Sequence, residues 1–126
     1  KAAAQGHVSA QYNLGVMYSN GQGTIKNDVK AAEWYSKAAA QGHVSAQNNL
    51  GVMYSKGLGV TQNDAKAFEW YSKAAAQGDA YAQYNLAEMY KSGQGVTQNN
   101  AKAFEWYSKA ADQGHAQAKL MLARLQ

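Results

Sequence analysis

The chain of 126 residues repeats itself with a period of 36. Residues 1–36 and 37–72 are identical at 28 of 36 positions, and residues 37–72 and 73–108 at 26 of 36. A fixed period of this length is typical of stacked supersecondary units, because each unit is too small to bury its apolar side alone. The period therefore favours a repeat protein over a fold built around one globular core.

Each repeat contains the pattern of two helices. The first is predicted from about Val8 to Asn20, and Gly21 is expected to end it in a left-handed conformation. A glycine inside this helix, Gly15, indicates the close approach of another backbone, because glycine otherwise weakens a helix. The apolar positions of the first helix fall on one stripe, formed by Ala10, Leu14, Met17 and Tyr18.

The second helix is predicted to start near Asn27 and Asp28, whose side chains can cap free backbone N–H groups. Glu33 and Lys37 have the spacing of a solvated ion pair on its surface. Its expected buried face consists of Ala31, Trp34, Tyr35, Ala38 and Ala39.

The whole chain, 1–126, is predicted to be a single repeat solenoid with three full helix pairs. Residues 1–6 match the end of a second helix, and residues 115–126 match a lone first helix with added polar residues that would cap the array. Two origins remain open at this stage: a natural fragment of a longer array, or a designed consensus array.

Composition narrows the possible functions. The net charge is +4 and the lysines are spread along the chain, whereas nucleic-acid binding usually needs a clustered basic face. The absence of cysteine excludes disulfides, thiol catalysis and cysteine-based zinc sites. No apolar run approaches the ~18 residues of a membrane span. We therefore expect no nucleic-acid or membrane partner.

Three sets of repeated residues have a structural and a functional interpretation. The histidines His7, His43 and His115 could bind metal, but Asp79 takes the same place in the third repeat, which favours a polar helix-start residue. The Gly-x-Gly turns lack the strand and third glycine of a phosphate loop and are read as helix stops. Tryptophans at 34, 70 and 106 could stack on bases or sugars, but equal repeat positions favour a core role.

Catalysis finds no support in the sequence. General acid–base chemistry needs a unique group with a perturbed environment, and a regular array offers copies of one environment. We expect no enzymatic activity, no metal and no cofactor.

Along one repeat the residues follow A-x-x-x-L-G-x-M-Y-x-x-G-x-G, then N-D-x-x-K-A, then W-Y-x-K-A-A-x-Q-G. The pattern resembles that of the Sel-one-like repeat (SLR) family, relatives of the tetratricopeptide repeats, and it recurs three times in register. In the first repeat its residues are Ala10, Leu14, Gly15, Met17, Tyr18, Gly21, Gly23, Asn27, Asp28, Lys30, Ala31, Trp34, Tyr35, Lys37, Ala38, Ala39, Gln41 and Gly42.

The resemblance implies an all-α fold, a right-handed αα superhelical solenoid of 36-residue helix–turn–helix repeats. It also implies a scaffold or adaptor for protein–protein interaction, and it leans towards a bacterial protein of the periplasm or a secreted one without fixing the compartment. Two departures limit what carries over. Many members have proline where this chain has Ile25, Thr61 and Thr97, and one bacterial branch has a disulfide in each repeat, which a chain without cysteine cannot form.

Differences between the repeats of this one chain point to a binding surface. In the first helix the variable positions fall at i, i+3, i+7 and i+11, which is one helical stripe away from the apolar one. By similarity to the tetratricopeptide repeats, this stripe should line the concave wall. The variable positions are Ser9, Tyr12, Val16 and Asn20, then Ser45, Asn48, Val52 and Lys56, then Tyr81, Tyr84, Glu88 and Ser92.

An invariant asparagine lies between the variable positions, at Asn13, Asn49 and Asn85. An amide offers both a donor and an acceptor, and therefore suits the backbone of a bound peptide. The leading hypothesis is that an extended partner segment crosses these asparagines, with Tyr12, Tyr81 and Tyr84 as apolar anchors. A bond from each asparagine to the neighbouring repeat is the alternative.

A different class of function remains open. The chain could be an architectural spacer or a self-associating segment of a longer repeat protein, with no binding site of its own. End-to-end stacking is expected in that case, because the Leu14 and Met17 side of the first repeat would lack a preceding helix.

Overall fold

The computed structural model describes residues 7–125, and within that range it contains seven α-helices and no strand. The helices are α1 (Val8–Asn20), α2 (Asp28–Ala40), α3 (Val44–Lys56), α4 (Asp64–Ala76), α5 (Ala80–Ser92), α6 (Asn100–Asp112) and α7 (Ala116–Leu125). The all-α prediction and the predicted bounds of the first helix are confirmed. The helix tail expected at residues 1–6 lies outside the described residues.

The helices form two compact units, one ending at Asn63 and the other beginning at Asp64. In the first unit α2 packs against both α1 and α3, and in the second each helix from α4 to α7 packs on the next. The prediction of one continuous array over 1–126 stays a prediction.

The helix ends follow from the residues at the turns. Gly21 ends α1 with a φ of 74°, as expected, and its N–H donates to the carbonyl of Met17. Asn27 caps α2 by accepting a hydrogen bond from the N–H of Lys30 at 3.0 Å. Asp28 does not cap, since its carboxylate pairs with Lys26 at 2.9 Å.

The second glycine makes a contact between repeats in the two later turns, at Gly59 and Gly95. Gly59 has a φ of 72°, and a Cβ built on it would overlap the carbonyl of Asp28 at the start of α2. In the second unit, a Cβ on Gly95 would lie 2.5 Å from the carbonyl of Asp64 at the start of α4. These turns therefore rest on the first turn of the preceding repeat's second helix.

Alanines fill much of the core, which lets helix axes approach closely. In the first unit Ala31, Ala38, Ala46 and Leu50 are buried, together with the ring of Tyr35. The second unit repeats this arrangement around Tyr107, which is fully buried among Ala87, Ala103, Ala110, Ala118 and Met121.

The core assignment of the tryptophans is wrong in part. Trp34, Trp70 and Trp106 are only half-buried, while the tyrosine that follows each of them is buried. Lys37 lies over the Trp34 ring at 5.3 Å from its centroid, and the other two repeats have the same contact at 5.5 Å. Across residues 7–125 the predicted Glu33–Lys37 ion pair and its two equivalents are not formed, because each lysine covers an indole face instead.

Gly15 does approach a neighbour closely, but the neighbour is a side chain. A Cβ at Gly15 would lie 2.6 Å from Cδ1 of Tyr35, so the predicted contact with another backbone is wrong. The ring of Tyr35 on the second helix therefore packs directly against Gly15 of the first. In the third repeat Ala87 occupies the equivalent place beside Tyr107.

Three buried glutamines tie the helices together, at Gln11, Gln47 and Gln83. Gln47 Nε2 donates to the carbonyl of Ala39 on α2 at 3.1 Å. Gln41, after α2, donates to Gln11 Oε1 on α1 at 2.6 Å. The amide can serve two neighbours because it both donates and accepts.

No helix within residues 7–125 combines the length and apolarity needed to cross a bilayer.

Candidate functional site

The first unit contains a cleft of about 360 Å³ between α1, α2 and α3. The first helices of two successive repeats form its walls, and a tyrosine of the intervening helix lies between them. It is lined by Tyr12, Val16, Ser19, Asn20, Asp28, Tyr35, Asn49, Val52, Met53 and Leu58. The predicted stripe and asparagine contribute five of these residues: Tyr12, Val16, Asn20, Asn49 and Val52.

The buried hydroxyl of Tyr35 gives this cleft a polar centre. Burial raises the pKa of the Tyr35 phenol and Tyr12 adds to that effect, whereas hydrogen bonding with Ser19 and Asn49 acts in the opposite direction. Asn49 therefore lies beside the tyrosine of the neighbouring repeat as well as at the surface of the cleft. The two interpretations of the asparagine, peptide contact and contact between repeats, apply to the same half-buried side chain.

The histidines have the structural role expected of them in two of three cases. His43 Nδ1 accepts the N–H of Ala46 at 3.2 Å, and His115 Nδ1 accepts that of Ala118 at 3.1 Å. Asp79 caps α5 in the same way, through Ala82 at 2.8 Å. His7 precedes α1 but its side chain makes no cap bond.

His43 also stacks on Tyr12, with ring centroids 4.5 Å apart and an angle of 20° between the planes. Tyr12 in turn lies 5.8 Å from the Tyr35 ring. The aromatic side chain at the edge of the cleft is thus held by two rings rather than free to turn.

The second unit presents its share of the predicted residues differently. Tyr84 is half-buried and stacks on His115, and Tyr81 is 66% exposed, edge-on to the same histidine. Glu88 Oε2 accepts a hydrogen bond from the buried Tyr107 hydroxyl at 2.5 Å. Glu88 therefore has a hydrogen-bond partner inside the chain, whereas its variability between repeats had predicted a residue free to contact a partner protein.

The other predicted residues surround these groups without lining the cleft. Ser92, at the end of α5, donates to the carbonyl of Glu88 at 3.0 Å. Asn48 and Asn85 are half-buried, and the exposed members are Ser9, Asn13, Ser45, Lys56 and Ser92.

Comparison of the copies missed half of the lining. Ser19, Asp28, Tyr35, Met53 and Leu58 line the cleft, yet Tyr35 is the same in all three repeats and looked like core alone. The Trp34–Tyr35 pair in the sequence could have indicated this role of Tyr35, because a buried tyrosine needs a hydrogen-bond partner for its hydroxyl.

The geometry of the described residues adds no feature that supports catalysis or metal binding. Residues 7–125 contain no group of three or more histidine or acidic side chains placed to hold a metal ion. What the cleft offers is apolar contact area with an amide, a serine hydroxyl and a phenol at its centre, which is binding chemistry.

Comparison with protein families matches the Sel1 repeat over residues 8–43, 44–79 and 80–115. Each match starts one residue after the helix-start residue described above, and ends on the next one. The comparison with curated protein sequences gives no match.

Among solved structures, the chain resembles a protective antigen of uropathogenic Escherichia coli with an SLR fold, at 44% identity and a TM-score of 0.91. The match covers 93% of this chain but only 25% of the antigen. A Sel1 repeat protein of Oxalobacter formigenes is 43% identical with a TM-score of 0.89, covering 98% of this chain and 92% of that one.

Cysteine-rich protein B of Helicobacter pylori is more distant, at 29% identity and a TM-score of 0.77, with coverage of 97% and 93%. The same helical arrangement thus forms in the cysteine-rich Helicobacter protein and in the present chain, which has no cysteine. Three matched repeats in succession, with helix ends, capping residues and aromatic core in the places described, show that the chain belongs to the Sel1 repeat family.

Proposed function

We propose that the chain is a protein-interaction module whose first unit binds an extended segment of another protein in the cleft between α1, α2 and α3. Sel1 repeat proteins are generally non-enzymatic scaffolds for protein interaction, which supports this class of function. The observation that supports this particular site is the cleft itself, because four residues chosen for their variability between repeats meet there with the invariant Asn49.

The lining suits a peptide in which an apolar side chain is flanked by backbone amides. Val16, Val52 and Leu58 offer apolar contact, and Tyr12 offers a rigid ring that costs little conformational entropy to bury. Asn49 lines the same cleft, and its amide can both donate to and accept from a peptide unit.

Peptides selected from a random library on the immobilised chain provide the test. Val52→Lys should weaken their binding by roughly tenfold or more, because it places a charge in the apolar part of the cleft. Asn49→Ala should weaken binding by about 1–3 kcal/mol with little change in melting temperature. Titration calorimetry measures the affinity of both variants, and circular dichroism measures their melting temperatures.

Ser45→Lys is the matched control, since Ser45 is exposed on the same helix and does not line the cleft. Equal losses in Val52→Lys and Ser45→Lys would remove the cleft as the binding site. A large fall in melting temperature for Asn49→Ala, with unchanged affinity of the folded protein, would make the asparagine structural.

One observation favours a second candidate, a segment that associates with its own copies. Met17 is 37% exposed, whereas its equivalents Met53 and Met89 are 5% and 4% exposed, and Leu14 is half-buried where Leu50 is buried. The Leu14 and Met17 side of α1 therefore presents apolar area that the other repeats cover. Sedimentation should show association at millimolar concentration that Met17→Lys reduces, and a strict monomer would contradict it.

A further inference from the structure

The two units contain equivalent aromatic groups. Tyr84, Tyr107 and His115 of the second unit stand 72 residues after Tyr12, Tyr35 and His43 of the first. Their geometry agrees as well: the tyrosine–histidine stacks measure 4.7 Å and 4.5 Å, and the tyrosine pairs 5.8 Å in both units.

The units differ in the residue that faces this aromatic group. The first has Val16, which lines the cleft, and the second has Glu88 at the same repeat position. The Tyr107 hydroxyl donates to the Glu88 carboxylate. After burial, Glu88 is the main cause that raises the pKa of both Tyr84 and Tyr107, so its negative charge lies against both phenols.

Within residues 7–125 no lysine or arginine forms an ion pair with the Glu88 carboxylate. It is half-buried, and the chain as a whole carries a net charge of +4. A partly desolvated carboxylate interacts strongly with a cation, and its hydrogen bonds with Tyr107 and Tyr84 leave further acceptor positions on its two oxygens. The faces of neighbouring tyrosine rings attract a cation in addition.

We propose that the second unit binds a lysine or arginine side chain of the partner segment, held by the Glu88 carboxylate and the rings of Tyr81 and Tyr84. This rests on the proposed function and specifies it: the aromatic group with Val16 accepts an apolar side chain, and the one with Glu88 accepts a cationic one. Tyr81 is the exposed ring of the set and lies on the same helical stripe as Tyr84 and Glu88.

Small amides test this site without any knowledge of the partner. N-acetyl-lysine amide and N-acetyl-arginine amide are titrated against the full chain and followed by the NMR signals of the α5 backbone and the tyrosine rings. N-acetyl-norleucine amide, which has the aliphatic chain without the charge, is the matched probe. We expect the two cationic amides to cause saturable shifts. Norleucine amide should bind with roughly five- to tenfold lower affinity, or cause no shifts.

The repeats themselves supply the control variants. Glu88→Val gives the second unit the residue found at that position in the other two repeats, so it should fold and should lose the shifts caused by lysine amide. Val16→Glu should create a second set of shifts at Tyr12 and Tyr35. Glu88→Gln keeps an acceptor for Tyr107 without the charge and should also lose binding.

Two results would overturn the proposal: equal binding of norleucine amide and lysine amide, or unchanged lysine amide binding in Glu88→Val and Glu88→Gln. Neither result depends on the peptides selected for the first unit, whose binding is measured at Val52. Failure of the cationic site and failure of the cleft are therefore separable.

Discussion

Gly59→Ala should lower the free energy of unfolding by about 4 kcal/mol, the largest loss we expect from adding a single methyl group to this chain. Two costs combine at this position. The backbone has a φ of 72°, which side chains disfavour, and the new Cβ would overlap the carbonyl of Asp28. The obstacle is backbone at the start of α2, so it cannot turn aside as a side chain would. Urea denaturation followed by circular dichroism measures the loss.

Gly42→Ala separates the two costs. Its φ is 90°, but nothing lies within 4 Å of the position a Cβ would take. It should therefore cost only about 1–2 kcal/mol, the conformational penalty alone. If the two variants are equally destabilised, the overlap of the new Cβ with the start of α2 adds no cost to the backbone strain, and the expected steric effect is wrong.

The repeat explains why the helices could be predicted from the sequence. The first-helix bounds, the glycine stop and the Asn27 cap each rest on a local rule, and three copies of each signal reinforce one another. Local rules fail where two neighbours compete for one residue. Lys37 has both Glu33 and Trp34 within reach along the helix, and the structure places it over the indole ring.

The candidate site was only half predictable for a related reason. Variation between copies identifies freedom from packing, so it located Tyr12, Val16 and Val52. It cannot identify a residue that packs and lines a cleft at once, as Tyr35 does. It also marks a residue as free when a substitution has created a new internal contact, as at Glu88 with Tyr107.

The buried glutamines are identical in all repeats because they pack and form hydrogen bonds between helices. Gln83 is only 5% exposed, and its amide joins three parts of the second unit. Nε2 donates to the carbonyl of Ala75 on α4 at 3.3 Å, and Oε1 accepts from Gln113, after α6, at 2.9 Å. The same glutamine in all three repeats is thus a tie between helices, a role that sequence identity alone does not distinguish from binding.

Gln83→Ala should lower the free energy of unfolding by about 3 kcal/mol, from two lost hydrogen bonds and the space left in the core. Gln83→Leu separates these causes, because leucine refills most of the volume and restores no hydrogen bond. We expect it to recover roughly half of the loss. Gln113 keeps its other bond, to the carbonyl of Gly78 at 2.8 Å, so its amide is not left without a partner in either variant. Urea denaturation of both variants gives the comparison. A leucine variant as stable as the wild type would mean that Gln83 only fills space. Its hydrogen bonds between α4, α5 and the end of α6 would then contribute nothing to the free energy of unfolding.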